Sequence, residues 1–226
     1  MTTVLAVVAH PDDEVIGPGG TLAAHAIAGD DVHVLILADG KTSRPGPPDS
    51  VAVQEMSLTE TEEACATLGV SGWRRLDLLD NQLDTYPLLD LAKQVCAVVD
   101  ELAPEVVYTH QGGDLNVDHE LTQRATMIAC RPHVSPVQWV FGFPTLSATD
   151  AGFAARPPFV PSVFVDVGTT LERKLAAMRC YGSELCEYPH PRSLRAMRAQ
   201  AELYGAHAGM ASAEGFSVLR GTWRVA

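Results

Sequence analysis

Thr3-Val4-Leu5-Ala6-Val7-Val8-Ala9-His10-Pro11-Asp12-Asp13-Glu14 is the stretch on which the reading of the chain turns. A short valine-rich apolar run, Thr3 to Ala9, ends abruptly in His10, a proline and three carboxylates. Such a run reads as a buried strand. Pro11 fixes its own φ and discourages helix at His10, so the chain turns there. In parallel α/β sheets ligands collect outside the carboxyl ends of strands. A histidine and paired aspartates at that position are aimed into a crevice.

Working outward, strand-like and helix-like segments alternate. Thr21 to Ala28 has helix-forming composition and stops at Gly29, and Val32 to Ala38 is strand-like again. Gly40 to Ser50 carries Gly, Pro, Ser and Asp and reads as a loop. Val51 to Leu68 is a helix ending at Gly69, and Arg74 to Leu79 a third strand. Leu88, Leu91, Val95, Val98 and Leu102 recur at helical spacing and mark one face. Glu105 to Tyr108 is a fourth strand, followed by a helix from Val117 to before Pro132. Gly142 to Pro161 reads as an irregular excursion, Val163 to Val167 as a strand, and Phe216 to Arg220 as a last strand. Two helical patterns, Thr170 to Cys180 and Leu194 to Ala208, lie between them. Alternation implies right-handed crossovers. The fold is therefore expected to be α/β, Rossmann-like, with a mostly parallel sheet and helices on both faces. All of residues 1–226 are assigned to a single domain.

The chain has 226 residues, 46% of them hydrophobic and 19% charged, enough to bury a real core. Sixteen basic against 28 acidic residues give a net charge of −12, which leaves little for a nucleic-acid-binding face. No apolar run approaches the roughly 18 residues of a membrane span. The N-terminus lacks a basic start and reaches carboxylates too early for a signal peptide. A cytoplasmic protein without membrane insertion is expected; a homo-oligomer stays open. The five scattered cysteines form no CxxC pair and read as reduced, packed side chains.

A second polar cluster follows the fourth strand: Thr109-His110-Gln111-Gly112-Gly113-Asp114-Leu115-Asn116-Val117-Asp118-His119. It faces the same sheet edge as His10. Zinc takes nitrogen and oxygen ligands, and catalytic sites leave one position for water. His10, one aspartate and His119 supply three ligands. A second aspartate beside the metal is then left to take a proton from water, which accounts for the pair Asp12 and Asp13.

With Ala9-His10-Pro11-Asp12-Asp13-Glu14, Gly19-Gly20-Thr21 and Gly113 to His119 in this order, the chain resembles the PIG-L/LmbE-like family of zinc N-deacetylases. Pro189-His190-Pro191-Arg192-Ser193 is similar to one branch of it. The resemblance implies one Zn2+ per chain on His10, Asp13 and His119, and Asp12 as the general base that activates zinc-bound water. Attack on an amide carbonyl follows, and the same carboxyl or a nearby histidine protonates the leaving amine. The implied reaction is hydrolysis of an N-acetyl group on an N-acetylglucosamine-type sugar conjugate.

One position departs from the family pattern. Many members carry a histidine three residues before the last ligand, where this chain has Asn116. Asparagine donates hydrogen bonds but delivers no proton at neutral pH. His110 is expected to take that part as acid or oxyanion donor. Candidates for holding substrate are Arg44 in the loop after the second strand, Asn116, Asp118 and Arg192. His25, His33, His133 and His207 sit in no cluster, and the three tryptophans read as core.

Two other readings stand beside this one. An amidase on another secondary amide, such as a thiol conjugate or a natural-product intermediate, uses the same residues. A nucleotide-binding module is disfavoured, because no GxGxxG follows the first strand.

Overall fold

Alternate side chains of the first strand, β1 (Thr3–Val8), enter two different cores. Val4, Ala6 and Val8 join one apolar cluster, Leu5 and Val7 the other. This strand is thus buried on both faces, as a central parallel strand must be. The protein is described here by a computed structural model covering residues 1–43, 51–155 and 158–223, with side chains at 153–155 left aside.

Along the chain come α1 (Asp13–Ile16), α2 (Gly19–Ala28), β2 (Asp31–Ala38), α3 (Val51–Leu68) and β3 (Gly72–Leu78). Then follow α4 (Leu88–Leu102), β4 (Val106–His110), α5 (Val117–Ala129) and β5 (Trp139–Phe143). The chain ends with β6 (Val163–Asp166), α6 (Leu171–Cys180), α7 (Leu194–Ala208) and β7 (Ala213–Gly221). The sheet order is β3-β2-β1-β4-β5-β7-β6. Strands β1 to β5 pair in parallel, and β7 runs antiparallel to both its neighbours. Helices α2, α3, α6 and α7 supply one core and α4 and α5 the other, so both faces are covered. The expected α/β, mostly parallel fold is what the chain adopts.

Strand order reverses between β1 and β4. From β1 the chain winds outward through β2 and β3, then returns to β4 on the other side. The crevice at the carboxyl ends of β1 and β4 is where an open α/β sheet takes its ligand.

The strand β5 corrects the sequence reading, which placed an irregular excursion from Gly142. A glycine is needed in that strand: a Cβ there would lie 2.7 Å from Ser217 Oγ on β7. The side chains of Ser217 and Gln111 crowd the place of that Cβ, within a paired strand rather than a turn. Trp223 is 79% exposed, so it is not core. All five cysteines are free. Among the described residues no helix is long and apolar enough to cross a membrane.

Candidate active site

Three donor atoms converge beyond the ends of β1 and β4. His10 Nδ1 stands 3.3 Å from Asp13 Oδ2, and His119 Nε2 lies 3.3 Å from His10 Nδ1 and 3.4 Å from Asp13 Oδ2. His10 follows β1, Asp13 opens α1, and His119 sits in the first turn of α5, whose N-cap Asn116 accepts from Asp118 N at 2.8 Å. Asp13 is tied back by the His10 N–H, which donates to Oδ2 at 2.9 Å.

The far nitrogens of both imidazoles meet carboxylates. His10 Nε2 donates to Asp118 Oδ2 at 3.1 Å and lies 3.2 Å from Asp80 Oδ1. His119 Nδ1 lies 3.1 Å from Asp114 Oδ2. Outer carboxylates of this kind orient histidine ligands and raise their basicity. Two imidazole nitrogens backed by carboxylates and a carboxylate oxygen held by the His10 N–H fit a divalent metal.

Charge balance agrees with this arrangement. Burial pushes the His10 imidazole down, but Asp118, Asp13 and Asp80 outweigh it and hold its pKa well above the ordinary value. Burial also opposes the charged form of His119, yet Asp13 and Asp114 raise it to about 9. Asp13 stays well below the usual carboxylate range despite burial, because His119 and His110 face it.

Asp12 takes a different course from its neighbour. Its φ of 106° lies in the left-handed region that few side chains adopt, and Val15 N and Ile16 N donate to its carbonyl at 3.0 and 2.8 Å. The turn parts the consecutive carboxylates. Asp13 faces the histidines, while Asp12 Oδ2 accepts from Arg192 Nη1 at 3.3 Å. Arg192 also donates to Glu184 Oε2 at 3.2 Å. Burial, then Asp13 and Glu184, lift the Asp12 pKa well above its ordinary value, and Arg192 opposes them. Asp12, only 4% exposed, lines the same cleft as the three candidate donors.

These groups line a cleft of about 600 Å³. His10, Asp12, Asp13, His119, Asn116 and Arg192 all face it. Asn116 Nδ2 donates to Asn81 Oδ1 at 3.0 Å, forming a polar rim. Arg44 lies outside the described residues.

Two residues are not where the sequence reading needs them. His110 is fully buried and does not line the cleft. Its Nε2 accepts from Ala9 N at 2.9 Å and its Nδ1 donates to Thr145 Oγ1 at 3.1 Å. Its ring stacks on His119 at 4.0 Å. Burial and the neighbouring His119 lower its pKa to about 4. Both its nitrogens are engaged inside the protein, set back from the cleft. Asp118 is likewise fully buried, with Oδ1 accepting from Leu83 N at 2.9 Å and Oδ2 on His10. It holds His10, a candidate metal donor, and does not line the cleft.

Sequence reading missed Asp80 and Glu184. Asp80 follows β3 as His10 follows β1, so the strand-end rule was available to find it. Glu184 lies far along the chain and carries no local signal.

Residues 5–130 match the PIG-L family, described as GlcNAc-PI de-N-acetylase, a span that includes all three donors and Asp12. A 4-oxalmesaconate hydratase of Pseudomonas putida is 28% identical over 202 residues, covering 82% of this chain and 76% of that protein. A diacetylchitobiose deacetylase of Thermococcus kodakarensis is 28% identical over 230 residues, 96% of this chain and 83% of that one. The crystal structure of a conserved protein from Thermus thermophilus matches with a TM-score of 0.79 at 25% identity, over 100% of this chain and 98% of that one. With the family match running over more than half of its length, the chain belongs to the PIG-L family of metal-dependent de-N-acetylases.

Proposed function

We propose that this protein hydrolyses the N-acetyl group of an N-acetylglucosamine-type conjugate, with zinc on His10, Asp13 and His119 and with Asp12 as base. The observation that carries this reading is the convergence of His10 Nδ1, Asp13 Oδ2 and His119 Nε2 beside a buried, separately held Asp12 carboxylate. Zinc bound there supplies a Lewis acid that polarises the carbonyl and lowers the pKa of water. Asp12 takes a proton from water as its oxygen attacks the amide carbon. The tetrahedral oxyanion then collapses, the C–N bond breaks, and Asp12 returns the proton to the departing nitrogen. Acetate and a primary amine leave. Asp12 carries the proton in both steps because His110 is buried behind the cleft with both ring nitrogens engaged.

Arg192 holds Asp12 in place and opposes the rise in its pKa that burial and the neighbouring carboxylates cause. The Asn81–Asn116 rim offers donors and acceptors to sugar hydroxyls. Asp118 and Asp80 orient His10. The polar cleft and the amino-sugar substrates named for the family and for the chitobiose relative support an amino-sugar conjugate as substrate. Five free cysteines support a reducing, cytoplasmic setting for a single catalytic domain of residues 1–226.

Primary-amine release by zinc-loaded protein from N-acetylglucosamine conjugates tests the reading. Amine released from acetylated peptides alone overturns it. Because a hydratase stands among the relatives, hydration of a carbon–carbon double bond is the competing reading. It uses the same base and gives no amine.

A further inference from the structure

Lys41 is a buried lysine set back from the cleft. It lies in the turn after β2, and that turn is pinned. Asp39 Oδ1 accepts from Lys41 N at 2.9 Å and from Thr42 N at 3.1 Å. Gly40, at a φ of 70°, packs so closely on Pro11 that a Cβ there would stand 2.7 Å from Pro11 Cδ. The turn therefore rests against the His10–Glu14 turn, and the lysine stem starts from a defined point.

The ammonium reaches the C-terminal half of the chain. Lys41 Nζ donates to Glu184 Oε1 at 2.7 Å and to Ser183 Oγ at 2.8 Å, and it lies 3.8 Å from Glu60 Oε2 on α3. Ser183 Oγ in turn donates to Glu60 Oε2 at 3.0 Å. On its other side Glu184 Oε2 accepts from Arg192 Nη1 at 3.2 Å, and the same nitrogen donates to Asp12 Oδ2 at 3.3 Å. Charge thus alternates from Lys41 through Glu184 and Arg192 to Asp12.

Stability does not account for such a row. Desolvation offsets much of the attraction in a buried ion pair, and apolar side chains of similar volume often serve as well. Where the row ends does account for it. Arg192 meets both carboxylates through Nη1, and its Nε has no hydrogen-bond partner among the described residues. The guanidinium is therefore not gripped by the two-pronged pairing that fixes its plane unaided. Its aim at Asp12 depends on Glu184, and the place of Glu184 depends on Lys41. Without the ammonium, the buried Glu184 carboxylate loses a counter-charge and draws Arg192 away from Asp12.

We propose that Lys41 and Glu184 are a positioning pair which, through Arg192, holds the Asp12 carboxylate at the wall of the cleft. The inference rests on the reading of Asp12 as base given under Proposed function. It makes the turn after β2 and the segment after α6 one support for a residue that neither of them contains.

The test compares zinc-loaded wild type, Lys41→Met, Glu184→Gln and the double variant on N,N′-diacetylchitobiose, with Asp12→Asn alongside. Lys41→Met keeps the stem and removes the charge, and Glu184→Gln keeps the shape. Each single change is expected to lower kcat about tenfold, as a slightly misplaced catalytic group does, with KM and zinc content as in wild type. The double variant is expected to fall no further than the worse single variant, because both residues act along one path. Unchanged kcat in both single variants, a rise in KM in place of the fall in kcat, or losses that multiply in the double variant overturns the inference. Should Lys41→Met not fold, Glu184→Gln decides on kcat and KM. Should wild type release no amine, or Asp12→Asn keep its turnover, the functional reading has failed instead, and crystal structures of the single variants decide. Arg192 Nη1 parted from Asp12 Oδ2 upholds the pair, and a retained contact of 3.3 Å overturns it.

Discussion

The side chain of Glu14 holds the backbone of Asp12: its Oε2 accepts the Asp12 N–H at 3.1 Å, within the turn whose φ is 106°. The other oxygen accepts from Tyr181 OH at 2.6 Å, and Glu14 is fully buried. The strained conformation that separates Asp12 from Asp13 is thus clamped from inside the core. Glu14→Ala removes both acceptors and orphans the Tyr181 hydroxyl. It is expected to cost about 1–3 kcal/mol of stability and to lower kcat. Glu14→Gln keeps an acceptor for Asp12 N and is expected to retain most activity. Equal kcat in Glu14→Ala and wild type would show that the turn holds without the clamp.

The same residue gives a pH dependence. Burial raises the Glu14 pKa from 4.5 to about 7. The folded state therefore keeps a proton that the unfolded chain releases, and stability falls as pH rises from 4.5 to about 7. The full effect is on the order of 3 kcal/mol. Glu14→Gln has no such loss. Urea unfolding at pH 5 and pH 8 should show the variant gaining on wild type at the higher pH. An identical difference at both pH values rules the account out.

Asp12 and Asp13 should separate on substitution. Asp12→Asn is isosteric and accepts no proton from water, so it is expected to keep its metal and lose about 10²–10⁴-fold in turnover. Asp13→Asn should instead weaken metal binding. Elemental analysis after dialysis, paired with amine release, distinguishes the two; the reverse pattern means base and ligand are interchanged.

Metal binding should release protons. Without metal, neighbouring carboxylates raise the pKa of His10 and lift that of His119 to about 9, so at pH 7 the site holds at least the His119 proton. A metal must displace that proton, and affinity should rise with pH toward 9. Calorimetric zinc titrations in two buffers of different ionisation enthalpy count the protons. A count of zero contradicts the charge state of the metal-free site.

Asp118 backs His10 rather than substrate. Asp118→Asn is expected to lower metal affinity by roughly 10–100-fold and to leave KM near wild type at saturating metal. His110→Ala should likewise disturb the metal site, by leaving Ala9 N unpaired under the first ligand. The alkaline limb of its pH–rate profile should not move. A moved limb would return His110 to the role of proton donor.

Local pattern carried much of this protein. The valine-rich run from Thr3 ends at the His10–Glu14 turn because an apolar strand followed by Pro11 has one compatible path, through the sheet and out at its edge. The alternation of strand and helix dictated the parallel sheet, and two polar clusters at strand ends placed His10, Asp12, Asp13 and His119 at one crevice. What the sequence did not determine depends on partners distant along the chain. Gly142 reads as a break until Ser217 on β7 is seen against it. Asp118 reads as a cleft residue until its two oxygens are found on Leu83 N and His10. His110 reads as an acid until burial and the Ala9 N–H fix its neutral form, about 100 residues away. Arg192 and Glu184 reach Asp12 only through the packing of the C-terminal segment. Periodicity is set by neighbours in sequence, whereas protonation state and hydrogen-bond assignment are set by neighbours in space, so only the tertiary structure decided the second group.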